Sequence, residues 1–145
     1  VTTNEERAAV LVRALRASIA GDASAIPALY TDDVKAWAPA MAVSSARELA
    51  AELERREDAF SDIDLEVTPL DVGGDYACAE WSVTVTHSGP LGLPDGTLIE
   101  PTGARLTLNG ATIAEFLGAR ICSLRQYWDE FAVLEQLGVL RPPPA

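Results

Sequence analysis

From Arg120 to Gly138 the chain reads RICSLRQYWDEFAVLEQLG, and its polar side chains recur in a pattern suited to moving protons. Read as a strand, its first half places Ile121, Ser123, Arg125, Tyr127 and Asp129 on one face. Cys122, Leu124, Gln126 and Trp128 fall on the other. One face therefore gathers a hydroxyl, a guanidinium, a phenol and a carboxylate. Turned inward, it would hold Asp129 in a partly apolar place, where burial raises a carboxyl pKa and a neighbouring arginine lowers it. Groups so placed are candidates for acid/base work. The competing structural reading makes Asp129 the N-cap of the following helix, through the amide of Phe131 or Ala132. Arg125 would then be an ion partner of Asp129 or Glu115, holding the aspartate ionised and a poorer base.

The elements around this stretch must position it. Phe131, Leu134 and Leu137 have helical spacing, and Gly138 ends that helix. At the other end of the chain, Thr3-Asn4-Glu5-Glu6 is a capping box. It opens a helix with a Val12, Leu15, Ile19 stripe that stops at Gly21. A short helix follows from Asp22 and Ser24 to Tyr30, then a strand over Val34 to Ala38 that Pro39 stops. Ser45-Ala46-Arg47-Glu48 is a second capping box, for a helix reaching about Ala59 with a solvated charged face.

Strand periodicity begins at Ile63, and Gly73-Gly74 signals a hairpin. The long strand Tyr76 to His87 sets Trp81, Val83, Val85 and His87 on one face. Ser88 to Gly103 reads as a long loop, a candidate lid or a plain connection. Arg105 to Phe116 is a further strand with a break near Asn109-Gly110. Helices first and meandering strands afterwards predict an α+β domain with a curved antiparallel sheet, a cone with the N-terminal helices in its concave face. Residues 1–140 form a single domain in this reading, and 141–145 a frayed proline-rich tail.

The 145 residues are 48% hydrophobic, enough for one real core, and the net charge is −11. That charge argues against nucleic acid and anionic membrane surfaces as partners. Cys78 and Cys122 are the only cysteines. Set in apolar strand patterns, they read as reduced thiols, and the absence of a long apolar run makes the expected location cytoplasmic. One histidine and no metal-type cysteine spacing give no metal site, and no glycine-rich phosphate loop gives no cofactor.

The layout resembles the SnoaL-like polyketide cyclase and ester cyclase group of the nuclear transport factor 2-like superfamily. The matching residues are Tyr30-Thr31-Asp32-Asp33-Val34 with Pro39, Glu80-Trp81, Thr86-His87-Ser88-Gly89, Pro101-Thr102-Gly103, Arg120-Ile121 through Tyr127-Trp128-Asp129, and Gln136-Leu137-Gly138. The resemblance implies a cofactor-independent enzyme acting on a hydrophobic small molecule in an apolar conical pocket, by intramolecular aldol closure or a related isomerisation. Asp129 matches the family's general acid/base. The family's usual histidine is replaced by Glu115, and its last-strand Glu and Trp by Ser123 and Arg125. These departures point to a different substrate or a different reaction. The expected catalytic residues are Asp129 and His87. Tyr30, Trp37, Trp81, Glu115, Ser123, Arg125 and Tyr127 are expected to line the cavity. An epoxide hydrolase-like enzyme and a non-catalytic binding or dimerisation module are the alternatives. A homodimer is expected through a face carrying Leu124, Trp128 and Cys122.

Overall fold

The computed structural model describes residues 2–39, 41–55, 59–93 and 96–139. The helix α1 (Asn4–Ala20) begins with the expected capping box: the Glu6 amide donates to Thr3 Oγ1 at 3.1 Å, and the Thr3 amide to Glu6 Oε2 at 3.3 Å. It ends at Gly21, whose φ of 68° lets the chain reverse in the left-handed region. A short 3₁₀ turn (Ala23–Ala25) and α2 (Ile26–Leu29) lead into β1 (Tyr30–Ala38) and β2 (Met41–Val43). The helix α3 (Ala46–Glu54) is capped by Ser45, which accepts from the Glu48 amide at 3.1 Å. Residues 56–58, over which that helix was expected to continue, and the tail 141–145 lie outside the described residues.

Then come β3 (Phe60–Leu70), β4 (Tyr76–His87), the small hairpin β5 (Leu91–Gly92) and β6 (Leu98–Ile99), β7 (Arg105–Leu117), β8 (Arg120–Trp128) and α4 (Glu130–Gln136). The six-stranded sheet runs β2-β1-β8-β7-β4-β3, antiparallel except where β1 lies parallel to β8. On its concave side α1 lies across β4 and β3. The core is Leu11, Leu15, Ile26, Leu29, Val34, Phe116, Ile121 and Leu124, each at most 4% exposed. An α+β cone is thus the observed architecture.

The expected break at Asn109-Gly110 does not occur; β7 is continuous and pairs with β4 from Arg105 to Glu115. Gly110 serves a different purpose. It pairs directly with Trp81, whose indole crosses it and donates from Nε1 to Thr112 Oγ1 at 2.9 Å. The glycine provides the floor on which a large ring lies flat against a neighbouring strand.

The parity of β8 is also not the simple alternation expected. Phe116 faces Ile121 and Glu115 faces Ser123, so Cys122 is an extra residue, a β-bulge. One inserted residue exchanges the two faces of everything after it. Ile121 and Leu124 are consequently both buried, at 0% and 3% exposure. Beyond the bulge Gln126 and Trp128 point into the cone, while Arg125, Tyr127 and Asp129 are exposed.

Candidate active site

The cone encloses an apolar cavity of about 400 Å³, walled by Val83 and Val85 of β4, Leu106 and Leu108 of β7, Trp128 of β8, and Phe60 and Ile63 of β3. Ser18 and Ile19 of α1, Glu52 and Leu53 of α3, Leu91 of β5, and Glu130 and Val133 of α4 complete it. An adjoining chamber of about 220 Å³ shares Ser18, Ile19, Val83, Leu108 and Trp128 with it, and adds Leu15, Leu65, Trp81 and Gln126. Trp81 and Trp128 meet edge to face, with ring centroids 6.3 Å apart. The Gln126 amide makes no side-chain hydrogen bond to the described residues, so both its donors and its acceptor are free for a ligand.

The helix α4 is held over this cavity by two devices. Asp129 Oδ1 accepts from the Ala132 amide at 3.2 Å and caps the helix. At the far end Gln136 accepts from the Thr107 amide at 2.9 Å and donates to the Thr107 carbonyl at 2.8 Å. Thr107 precedes the part of β7 paired with β8, so the glutamine amide stands in for a missing strand. Glu130 is in turn oriented by Trp128, whose Nε1 donates to Oε1 at 2.8 Å.

The residues expected from sequence fall into three groups. Trp81 lines the inner chamber. Tyr30 lines neither chamber; it is buried and bonded to the lining residue Ser18, and burial pushes its phenol up to about 12, so it stays protonated. His87 is fully buried on the face of β4 that carries Val83 and Val85, but is not among the lining residues. Its Nδ1 accepts from the Thr102 amide at 3.2 Å and meets Thr102 Oγ1 at 2.9 Å. This fixes the Nε2–H tautomer, and Nε2 has no partner among the described residues. Phe60, 5.9 Å away between ring centroids, is the cavity residue in contact with His87.

The third group lies on the convex side. Glu115 pairs with Ser123, Arg125 with Ile113 and Trp37, and Tyr127 with Ala111. Trp37 and Tyr127 form an exposed aromatic pair, 5.3 Å between centroids, at 44% and 46% exposure. The bulge at Cys122 turns Ser123, Arg125 and Tyr127 away from the cavity. It also places Leu124 and Trp128, expected on an outer dimer face, inside the cone. Cys122, half-buried at the bulge, has its thiol pushed up by desolvation and by Glu115. Both cysteines are free thiols. Sequence reasoning passed over Gln126, Glu130 and Glu52; the first was set on the opposite face of β8, and the last was assigned to a solvated helix surface. Among the described residues no helix is long and apolar enough to cross a membrane, and no three acidic, histidine or cysteine side chains form a metal-binding group.

The fold has close counterparts among solved structures. AclR from Streptomyces galilaeus, a candidate hydroxylase, is 25% identical with a TM-score of 0.76, over 98% of this chain and 87% of that one. A candidate SnoaL-like polyketide cyclase from Jannaschia sp. is 16% identical with a TM-score of 0.77, over 94% of each chain. An LEH-like epoxide hydrolase of M. tuberculosis is 17% identical with a TM-score of 0.67, over 93% and 91%. No curated protein matches the chain in sequence. Residues 11–124 match the model of the SnoaL-like domain, a span from the first helix through the bulge of β8, and the chain belongs to that family.

Proposed function

We propose that the protein is a cofactor-independent acid/base enzyme for a hydrophobic small molecule held inside the cone. The observation that carries this reading is the apolar cavity with a free Gln126 amide in its inner chamber and the Glu130 carboxylate of α4 in its lining. An aldol closure or an isomerisation of a ketone begins by removing a proton beside a carbonyl. In this reading Gln126 donates to the carbonyl oxygen, and its hydrogen bonds strengthen as that oxygen takes up charge. A carboxylate removes the carbon-bound proton and returns it. Of the two acidic residues at the corner, Glu130 borders the cavity, and its hydrogen bond from Trp128 fixes the position of Oε1. Asp129 supports it by capping α4. His87 ties down the Ser88–Gly103 segment through Thr102, and Leu91 of that segment closes one side of the cavity.

Binding is tested with the neutral dye N-phenylnaphthylamine, whose emission rises in apolar surroundings. The wild type should bind it. Leu108→Trp, which fills a wall shared by both chambers, should abolish binding without loss of the fold. Equal binding by that variant would place the ligand elsewhere. A second reading, a binding module without catalysis, is favoured by the absence of ionisable groups among the described residues of the inner chamber. Solvent deuterium exchange beside a ketone carbonyl separates the two.

Self-association would use the convex face in this reading. Lys35 and Arg125 sit on the β1–β8 half, Glu66 and Glu80 on the β3–β4 half, with Trp37, Tyr127 and Ile113 exposed among them. A two-fold axis near β7 sets Lys35 and Arg125 of each copy on Glu66 and Glu80 of the other, the self-complementarity that an isologous dimer requires. Sedimentation should show a dimer for the wild type and a monomer for Trp37→Asp combined with Arg125→Glu. A monomeric wild type at high micromolar concentration would rule the dimer out.

A further inference from the structure

The charged residues that line the cavity are of one sign, although Arg16 stands in a surface pocket that shares Ile19 and Ile63 with it. Its mouth carries Glu52 on α3 and Glu130 on α4, and no described lining residue of either chamber is lysine or arginine. Ser18 and Gln126, the other polar lining residues apart from the two indoles, are neutral. Arg55 approaches Glu52 at 3.5 Å, but its side chain is 73% exposed and it stands outside the lining. A solvated pair three residues apart on a helix is weak and yields readily to a better partner. The chain's net charge of −11 adds a long-range field of the same sign.

We infer that the ligand of this cavity is an amphiphilic amine: an apolar ring body inside the cone and a protonated nitrogen at the mouth, held by Glu52. Carboxylates and phosphate esters of the same shape are disfavoured. An anion entering would lose hydration, meet two carboxylates and find no cation to replace its water. An ammonium entering keeps one side in solvent and gains Glu52 on the other. A neutral alcohol of the same shape falls between them. The preference is electrostatic at a partly wet mouth, so it must weaken with salt. Because Glu52 lies on α3 and Glu130 on α4, the ammonium site and the proposed base are separate groups on separate walls.

This inference rests on the reading of the cavity as a ligand site, and the test separates the two. Naphthylmethylamine, naphthylmethanol and naphthoate share one ring body and differ only in charge. Each competes with bound N-phenylnaphthylamine at low salt and neutral pH. The amine should compete about tenfold better than the carboxylate, with the alcohol between them. The gap should shrink in molar salt, and Glu52→Gln should narrow it through the amine alone. Glu52→Lys should reverse the order. Equal competition by all three, or the same order in Glu52→Lys, overturns the amine assignment and leaves the cavity standing as a ligand site. Failure of the dye and of all three competitors to bind overturns the cavity reading itself.

Discussion

Gly110→Ala should destabilise the protein by about 2–3 kcal/mol and lower Tm by roughly 10 °C. A Cβ built at Gly110 overlaps Trp81 Cζ2, lies 2.5 Å from Cη2 of the same ring, and lies 2.6 Å from the Tyr127 carbonyl oxygen. Neither neighbour can give way cheaply. The ring is held by its bond to Thr112 Oγ1 and by Trp128, and the carbonyl belongs to the backbone of β8. Either the strands separate or the indole leaves its place. If the ring moves, Trp81 Nε1 and the fully buried Thr112 hydroxyl lose each other, and an unsatisfied buried polar group itself costs about 1–3 kcal/mol. The inner chamber would be reshaped as well, since Trp81 is one of its walls. Urea unfolding followed by far-UV circular dichroism measures the first effect, and the near-UV signal of the paired indoles reports the second. A variant with wild-type stability and an unchanged near-UV spectrum would mean that the ring does not cross Gly110 in solution.

The second large effect concerns the corner after β8. Solvent deuterium exchange at the carbon beside the carbonyl of a neutral aryl ketone such as tetralone reports proton abstraction without knowledge of the natural substrate. Glu130→Gln should slow the protein-catalysed exchange about 100-fold, a usual loss for a positioned general base. It keeps the side chain's shape, so affinity for the dye should stay within about twofold. Asp129→Asn can still accept the Ala132 amide, so both exchange and stability should remain near wild type. Asp129→Ala should cost about 1 kcal/mol in stability, because the cap is lost. Its exchange rate should fall only as far as α4 frays. Loss in Asp129→Asn with none in Glu130→Gln would transfer the base to Asp129. No exchange above background in the wild type would leave a binding module.

Much of the fold was readable because it rests on local chemistry. The capping boxes at Thr3 and Ser45, the Gly21 stop and the full extent of β4 each depend on residues close in sequence. The order of periodicities was enough for the α+β cone. Other features were hidden by distance. Gly110 reads as a strand breaker because its contact, Trp81, is 29 residues earlier, and only pairing shows that the gap is filled by a ring. His87 was readable as an inward-facing residue of β4. That Phe60 rather than the imidazole lines the cavity depends on how β3 pairs beside it.

The chemistry of the corner shows most clearly where sequence ends and structure begins. Sequence alone determined that the chain would turn from a strand into a helix at Asp129, that one strand face would carry Ser123, Arg125 and Tyr127, and that an aspartate would stand at the junction. It could not determine which face looks inward. Alternation assigns residues to faces only relative to one another, and the choice between faces belongs to the partner strand. Opposite Glu115 and Phe116, β8 accommodates Cys122 as an extra residue, and Ile121 and Leu124 both reach the core. Burying those two apolar side chains outweighs keeping a regular ladder, since each contributes about 1.5–3 kcal/mol when fully buried. From that bulge onward the faces are exchanged: Gln126 and Trp128 wall the cavity, Arg125 and Tyr127 meet solvent, and at the corner it is Glu130, not Asp129, that borders the cavity.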